Sequence, residues 1–237
     1  ITYLLCASLS ATMVVQFHYN FGSYPDILCY FLLLLTFINK ERTNAPYIYF
    51  FLALLTKETA VFTVLFFLAI KNISKIKLIF SCSVYLPIYL FLNTGAYNLN
   101  HYLSPLEDDI LYWFNQSKQY FFTGYFSSIK FLWIIIALYI FRDFRNSFPI
   151  FLLIIGISLQ FMLGGDTTRF ISFIFLALVY IVENYKLNNF LFLNIFILFL
   201  NTVTAKYYIY AYGQMTILNE SRISFLEFFE IFHKSSI

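Results

Sequence analysis

Long apolar runs broken by short polar clusters dominate this sequence, and their spacing predicts where helices lie. Runs at Ile1 to Phe17, Pro25 to Ile38, Leu78 to Asn93, Phe126 to Phe141, Phe148 to Leu163, Phe170 to Val182 and Phe190 to Thr204 each read as a helix held in an apolar medium. The clusters between them are of two kinds. One kind is short and basic: "NKERTN" with Lys40 and Arg42, "KNISKIK" with Lys71, Lys75 and Lys77, "FRDFRN" with Arg142 and Arg145, and "ENYKLN" with Lys186. The other is rich in Tyr, Asn, Gly and carboxylate: "HYNFGSYPD", the long "TGAYNLNHYLSPLEDDILYWFNQSKQYFFTGY", "GGDTTR", and the tail from Ala205. Short basic connectors mark the cytoplasmic side of membrane proteins, so the second kind is expected on the exoplasmic side.

The stretch from Asn44 to Ile70 does not fit one crossing. About 27 residues separate two basic connectors, and a single helix of that length would run about 40 Å against a hydrocarbon core of about 30 Å. A hairpin of two short helices would return the chain to the side it started from. Its turn would carry Lys57 and Glu58 in "FLALLTKETAVFTVLFFLAI", and that turn would need cover from protein or a water-filled cavity. The other reading is one tilted helix with Lys57 and Glu58 paired against its neighbours. Counting charge on each side does not separate the two; the shortness of the basic connectors and the excess length favour the hairpin. The hairpin would gather Asp26, Glu58, Glu107, Asp108, Asp109, Asp166 and Arg169 at one membrane face.

Composition agrees with the pattern. Of 237 residues, 61% are hydrophobic, 23% aromatic and only 11% charged, with a mean hydropathy of +0.75, which is outside the range of soluble globular chains. The expected class is therefore all-α: a polytopic helical membrane protein with about seven spans plus the short-helix hairpin at Asn44 to Ile70. Residues 1–204 would form the multi-span domain, with an interfacial helix in the loop at about 94–125. Residues 205–237 would form an exoplasmic tail with an amphipathic helix around Phe225, Leu226, Phe228, Phe229 and Phe232. The chain opens on Ile1 inside an apolar run and reads as an internal fragment with earlier helices upstream. The net charge of +3 is spread over loops, which argues against a nucleic-acid partner. Cys6, Cys29 and Cys82 all fall in apolar runs and read as small buried hydrophobes.

Ionisable residues within or at the edge of a membrane are functional candidates. Asp26, directly after Pro25, is placed to bind an acceptor or a metal, or else to serve as a helix N-terminal carboxylate. Lys57 offers a point charge for a phosphate, and Glu58 either orients it or acts on an acceptor. In "GGDTTRF", Asp166 suits a helix cap and Arg169 a phosphate clamp; a local Asp to Arg pair is the plainer alternative. Glu107, Asp108 and Asp109 form a weak signal for a divalent cation, since adjacent carboxylates without further ligand spacing are usually solvated. His18, His101 and His233 are too dispersed for a zinc site.

The segment "GSYPDILCYFLLLLTFINKERTNAPYIYFFLALLTKETAVFTVLFF" resembles the core of the GT-C superfamily of membrane glycosyltransferases, in its protein-mannosyltransferase-like branch. The similar features are an Asp opening a span, a basic turn, and "ALLTKET" leading into another apolar helix. "GGDTTRFISFIFLALVYI" is similar to a later exoplasmic turn of those enzymes. The resemblance implies a multi-pass enzyme of a bacterial plasma membrane or an endoplasmic reticulum. It would move a sugar from a polyprenyl-phosphate donor to a glycan, lipid or protein acceptor at the exoplasmic face. In that role Asp26 and Glu58 would be catalytic, and Lys57, Asp166 and Arg169 would hold the donor. The acidic motif that such enzymes carry in their first exoplasmic loop is not visible here and is expected upstream of Ile1. A polymerase or ligase of lipid-linked glycans would use similar groups, and a transporter or flippase would place Lys57, Glu58 and Asp166 along its path.

Overall fold

The computed structural model describes residues 26–93, 126, 129–160, 172–184, 191–203, 207–210 and 214–217. Eight α-helices are formed among the described residues: α1 (Asp26–Ile38), α2 (Ala45–Thr56), α3 (Val64–Ala69), α4 (Lys75–Asn93), α5 (Trp133–Arg142), α6 (Phe148–Gln160), α7 (Phe175–Asn184) and α8 (Leu191–Val203). Tighter 3-10 turns join or precede them at Glu58–Thr63, Lys130–Leu132 and Ser172–Ile174. A two-stranded antiparallel ribbon, β1 (Tyr207–Tyr210) and β2 (Gln214–Ile217), pairs Tyr207 with Ile217 and Tyr210 with Gln214. The bundle is all-helical, as expected, but the ribbon was not foreseen. Its aromatic and β-branched residues around Gly213 are a strand signal that the surrounding apolar sequence obscures.

Among the described residues no helix is long and apolar enough to cross a membrane. At 1.5 Å per residue, the 13 described residues of α1 or α6 span about 20 Å. The longest, α4, has 19 residues but includes Lys75, Lys77 and an internal Pro87. The expected runs fall where helices form, although α4 starts three residues earlier, at Lys75, and α7 runs two residues further, to Asn184. Phe126 to Phe141 is interrupted at Lys130, and Phe170 to Val182 opens with a 3-10 turn. The expected helices at Ile1 to Phe17, in the loop at 94–125 and near residues 225–232 lie outside the described residues.

The hairpin at Asn44 to Ile70 is formed. Helix α2 opens with Pro46 in its first turn, where a missing N–H costs nothing. It stops at Lys57, whose φ of −154° and ψ of 120° leave the helical region. The following six residues, "ETAVFT", place β-branched side chains at Thr59, Val61 and Thr63, which are poor α-helix formers, and wind instead as a 3-10 turn. Thr63 Oγ1 donates to the Ala60 carbonyl at 2.7 Å, closing that turn. The outgoing arm is about 18 Å long and the returning one, 3-10 turn plus α3, about 21 Å. Near-equal arms bring the two ends level. The Ser74 N–H donates to Tyr47 Oη at 2.6 Å, and Lys77 Nζ donates to the Thr43 carbonyl at 2.9 Å and to Asn44 Oδ1 at 3.0 Å.

Among the described residues, the basic connectors share this end of the bundle. Lys40 at the end of α1 pairs with Glu183 at the end of α7, and Tyr180 Oη donates to the Asn146 carbonyl at 2.9 Å. Beneath them runs a chain of rings: Phe50 to Phe67 at 5.6 Å, Phe67 to Phe66 at 5.2 Å, Phe66 to Tyr180 at 6.0 Å and Tyr180 to Tyr139 at 6.2 Å. These contacts tie α2, α3, α7 and α5 into one core, each worth about 0.5–1.5 kcal/mol beyond the buried area. Helix α6 lies against the returning arm, and Gly156 makes this possible: a Cβ there would stand 2.1 Å from the Phe62 carbonyl oxygen.

Candidate functional site

At the opposite end of the bundle, the first residue of α1 and the residue that ends α2 meet. The two helices run antiparallel, so Asp26 and Lys57 are brought to one level, and Lys57 Nζ donates to Asp26 Oδ1. Asp26 is 0% exposed and Lys57 7%. Taking both charges from water costs several kcal/mol per ion, which their mutual attraction offsets only when the pair is intact. Apolar residues of the same size would hold these helices together at least as well, so stability alone is a poor reason for the pair to be there.

Lys57 therefore does not pair with its sequence neighbour. Glu58 is exposed and has no ion-pair partner among the described residues. The extended backbone at Lys57 explains this, because consecutive side chains on extended chain point to opposite sides. Glu58 remains within electrostatic reach of Cys29, one turn along α1 from Asp26, and of Tyr85 on α4. Cys29 and Cys82 are free thiols, buried and half-buried, as their apolar surroundings in sequence suggested.

Gln160, the last residue of α6, reaches the same turn: its Nε2 donates to the Thr59 carbonyl at 3.1 Å. Phe173, just past Ser172, packs edge-on against Tyr30 at 5.1 Å, one turn from Asp26. Gln160 and Ser172 are the described residues nearest in sequence to Asp166 and Arg169. Those two, with Glu107, Asp108 and Asp109, lie outside the described residues. Of the expected site residues, the structure thus brings Asp26 and Lys57 into contact, while Glu58, next to Lys57 in sequence, is exposed on the other side of the chain. Among the described residues no group of three or more His, Cys, Asp or Glu could hold a metal ion.

Two polar features escaped the sequence pattern. Lys130 is fully buried, with a φ of 48° that side chains other than glycine rarely adopt. Its Nζ donates to the Asn201 carbonyl at 3.0 Å, while Asn201 Oδ1 accepts from the Phe131 N–H at 3.0 Å. The signal available was a lysine in the otherwise apolar "IKFLWIIIALYIF". Gln160 was the second, a lone amide near the end of a run assigned wholly to apolar packing.

Comparison with protein families, with curated proteins and with solved structures finds no match to this chain.

Proposed function

We propose that this chain is an integral-membrane glycosyltransferase that moves a sugar from a polyprenyl-phosphate donor to a glycan, lipid or protein acceptor at the exoplasmic face. The observation that carries the reading is the buried Lys57 and Asp26 pair at the end of the bundle away from the basic connectors. A multi-pass setting is supported by large apolar side chains left exposed on outward faces, among them Phe31, Ile38, Leu52, Phe80, Phe91 and Phe141. Apolar surface on that scale is what lipid covers. With basic connectors on the cytoplasmic side, arms of about 20 Å in a core of about 30 Å leave the Lys57 turn below the exoplasmic surface.

The pair suits the chemistry by exchange of partners. A donor phosphate competes with Asp26 for the Lys57 ammonium, and the two groups then take separate tasks. The ammonium stabilises the charge on the departing phosphate, and the Asp26 carboxylate takes the proton of the acceptor hydroxyl. The acceptor oxygen bonds to the anomeric carbon as the bond from that carbon to the phosphate oxygen breaks, with inversion. Glu58, exposed on the other side of the extended backbone, would be a second carboxylate for an acceptor that reaches that side. Arg169 and Asp166, in the sequence after Gln160, would hold the donor, Arg169 by clamping its phosphate.

Release of sugar from a polyprenyl-phosphate donor tests this. Lys57→Ala, Asp26→Ala and Arg169→Ala, each shown to insert normally, are expected to lose at least about a hundredfold in rate. Full activity in all three would end the reading. A transporter or flippase is the second reading, favoured by the break between α2 and α3 that carries charges of both signs. Movement of the donor across a vesicle membrane without sugar release would select it.

A further inference from the structure

Beside the Lys57 and Asp26 pair, two polar side-chain atoms are buried with no hydrogen-bond partner: Thr59 Oγ1 and Gln160 Oε1. They come from different elements, the start of the 3-10 turn and the end of α6, which the Gln160 amide joins by its bond to the Thr59 main chain. Gln160 is 0% exposed, and its Nε2 is engaged by the Thr59 carbonyl at 3.1 Å. Turning the amide over would set two carbonyl oxygens against each other, so the orientation is fixed with Oε1 left as an acceptor. The Thr59 hydroxyl offers a donor and further acceptor capacity. Native proteins keep few buried polar atoms unpaired, because each carries an uncompensated loss of hydration.

We propose that Thr59 and Gln160 form a subsite for a ring hydroxyl of the donor sugar, which donates to Gln160 Oε1 and accepts from the Thr59 hydroxyl. The inference rests on reading Lys57 as the phosphate contact, since Thr59 follows it by two residues and the sugar is attached to that phosphate. Among ligand groups, a hydroxyl satisfies both atoms at once. An apolar group would satisfy neither, and a cation would be repelled by the Lys57 ammonium nearby.

Binding of a polyprenyl-phosphate hexose and its monodeoxy analogues to wild-type protein, Thr59→Val and Gln160→Leu tests the subsite. One deoxy analogue should bind wild-type protein about tenfold more weakly than the parent. Thr59→Val and Gln160→Leu should weaken the parent by a similar factor while leaving that analogue nearly unchanged. Thr59→Val removes a hydroxyl with no partner to lose, so its unliganded melting temperature should hold or rise. It keeps the test decisive if Gln160→Leu, which also strips the Thr59 carbonyl of its donor, does not fold. Equal binding of the parent and every deoxy analogue by wild-type protein would overturn the subsite alone and leave water as the partner of both atoms. Failure of wild-type protein to bind the parent hexose donor would overturn both the subsite and the glycosyltransferase reading.

Discussion

Lys57 donates to Asp26 across 31 residues of chain, and both ends of the contact are buried. Removing one partner takes the ion pair from the other, a charge that stays buried. Asp26→Ala or Lys57→Ala is therefore expected to cost about 3–5 kcal/mol in unfolding free energy. Asp26→Leu with Lys57→Met should cost far less than the sum of Asp26→Leu and Lys57→Met made singly, and a double-mutant cycle of these variants by denaturant unfolding in detergent measures the coupling. The Lys40 and Glu183 pair is the contrast: Glu183→Gln should cost under about 1 kcal/mol, because the Glu183 carboxylate is exposed and water already serves it.

Asn44 and Lys77 meet at the base of the hairpin, with Lys77 Nζ 3.0 Å from Asn44 Oδ1. Cysteines introduced by Asn44→Cys and Lys77→Cys should be joined by a short bifunctional thiol reagent, as judged by peptide mapping. A continuous helix from Asn44 to Ile70 would hold them about 40 Å apart, beyond such a reagent, and no cross-link would form.

Gly156 packs its α-carbon against the main chain of the returning arm. In Gly156→Ala the new methyl meets a carbonyl oxygen, which cannot swing aside as a flexible side chain could. The helix and the arm must separate, at about 1–3 kcal/mol by thermal unfolding. Ile155→Ala, at a neighbouring exposed position, should change stability far less.

Lys130 combines a left-handed backbone with a buried ammonium, and two substitutions separate these. Lys130→Gly and Lys130→Ala both lose the bond to the Asn201 carbonyl, but glycine adopts a φ of 48° freely. The glycine variant should be more stable than the alanine variant by about 1 kcal/mol, measured in one denaturant series.

The hairpin was legible because chain length between two basic connectors is a one-dimensional quantity, and about 27 residues suit neither one crossing nor two. Helix positions were legible for the same reason, since Pro25, Pro46 and the polar clusters punctuate the apolar runs. The partner of Lys57 was not legible. Glu58 is adjacent in sequence, and only the antiparallel packing of α1 on α2 makes Asp26 the nearer carboxylate. Lys130 and Gln160 were passed over because a single polar residue in an apolar run carries no periodicity, and burial depends on neighbours from distant parts of the chain. Gly156 gave no sign at all, because its use is the approach of α6 to Phe62.

We propose that Asp26 and Lys57 are kept for chemistry on a lipid-linked sugar, beyond what they contribute to folding. The most direct measurement is sugar release from a polyprenyl-phosphate donor by the Asp26→Leu, Lys57→Met double variant, in protein whose unfolding midpoint matches wild type. A rate at least about a hundredfold below wild type is the predicted result. A wild-type rate in that well-folded variant would contradict the account.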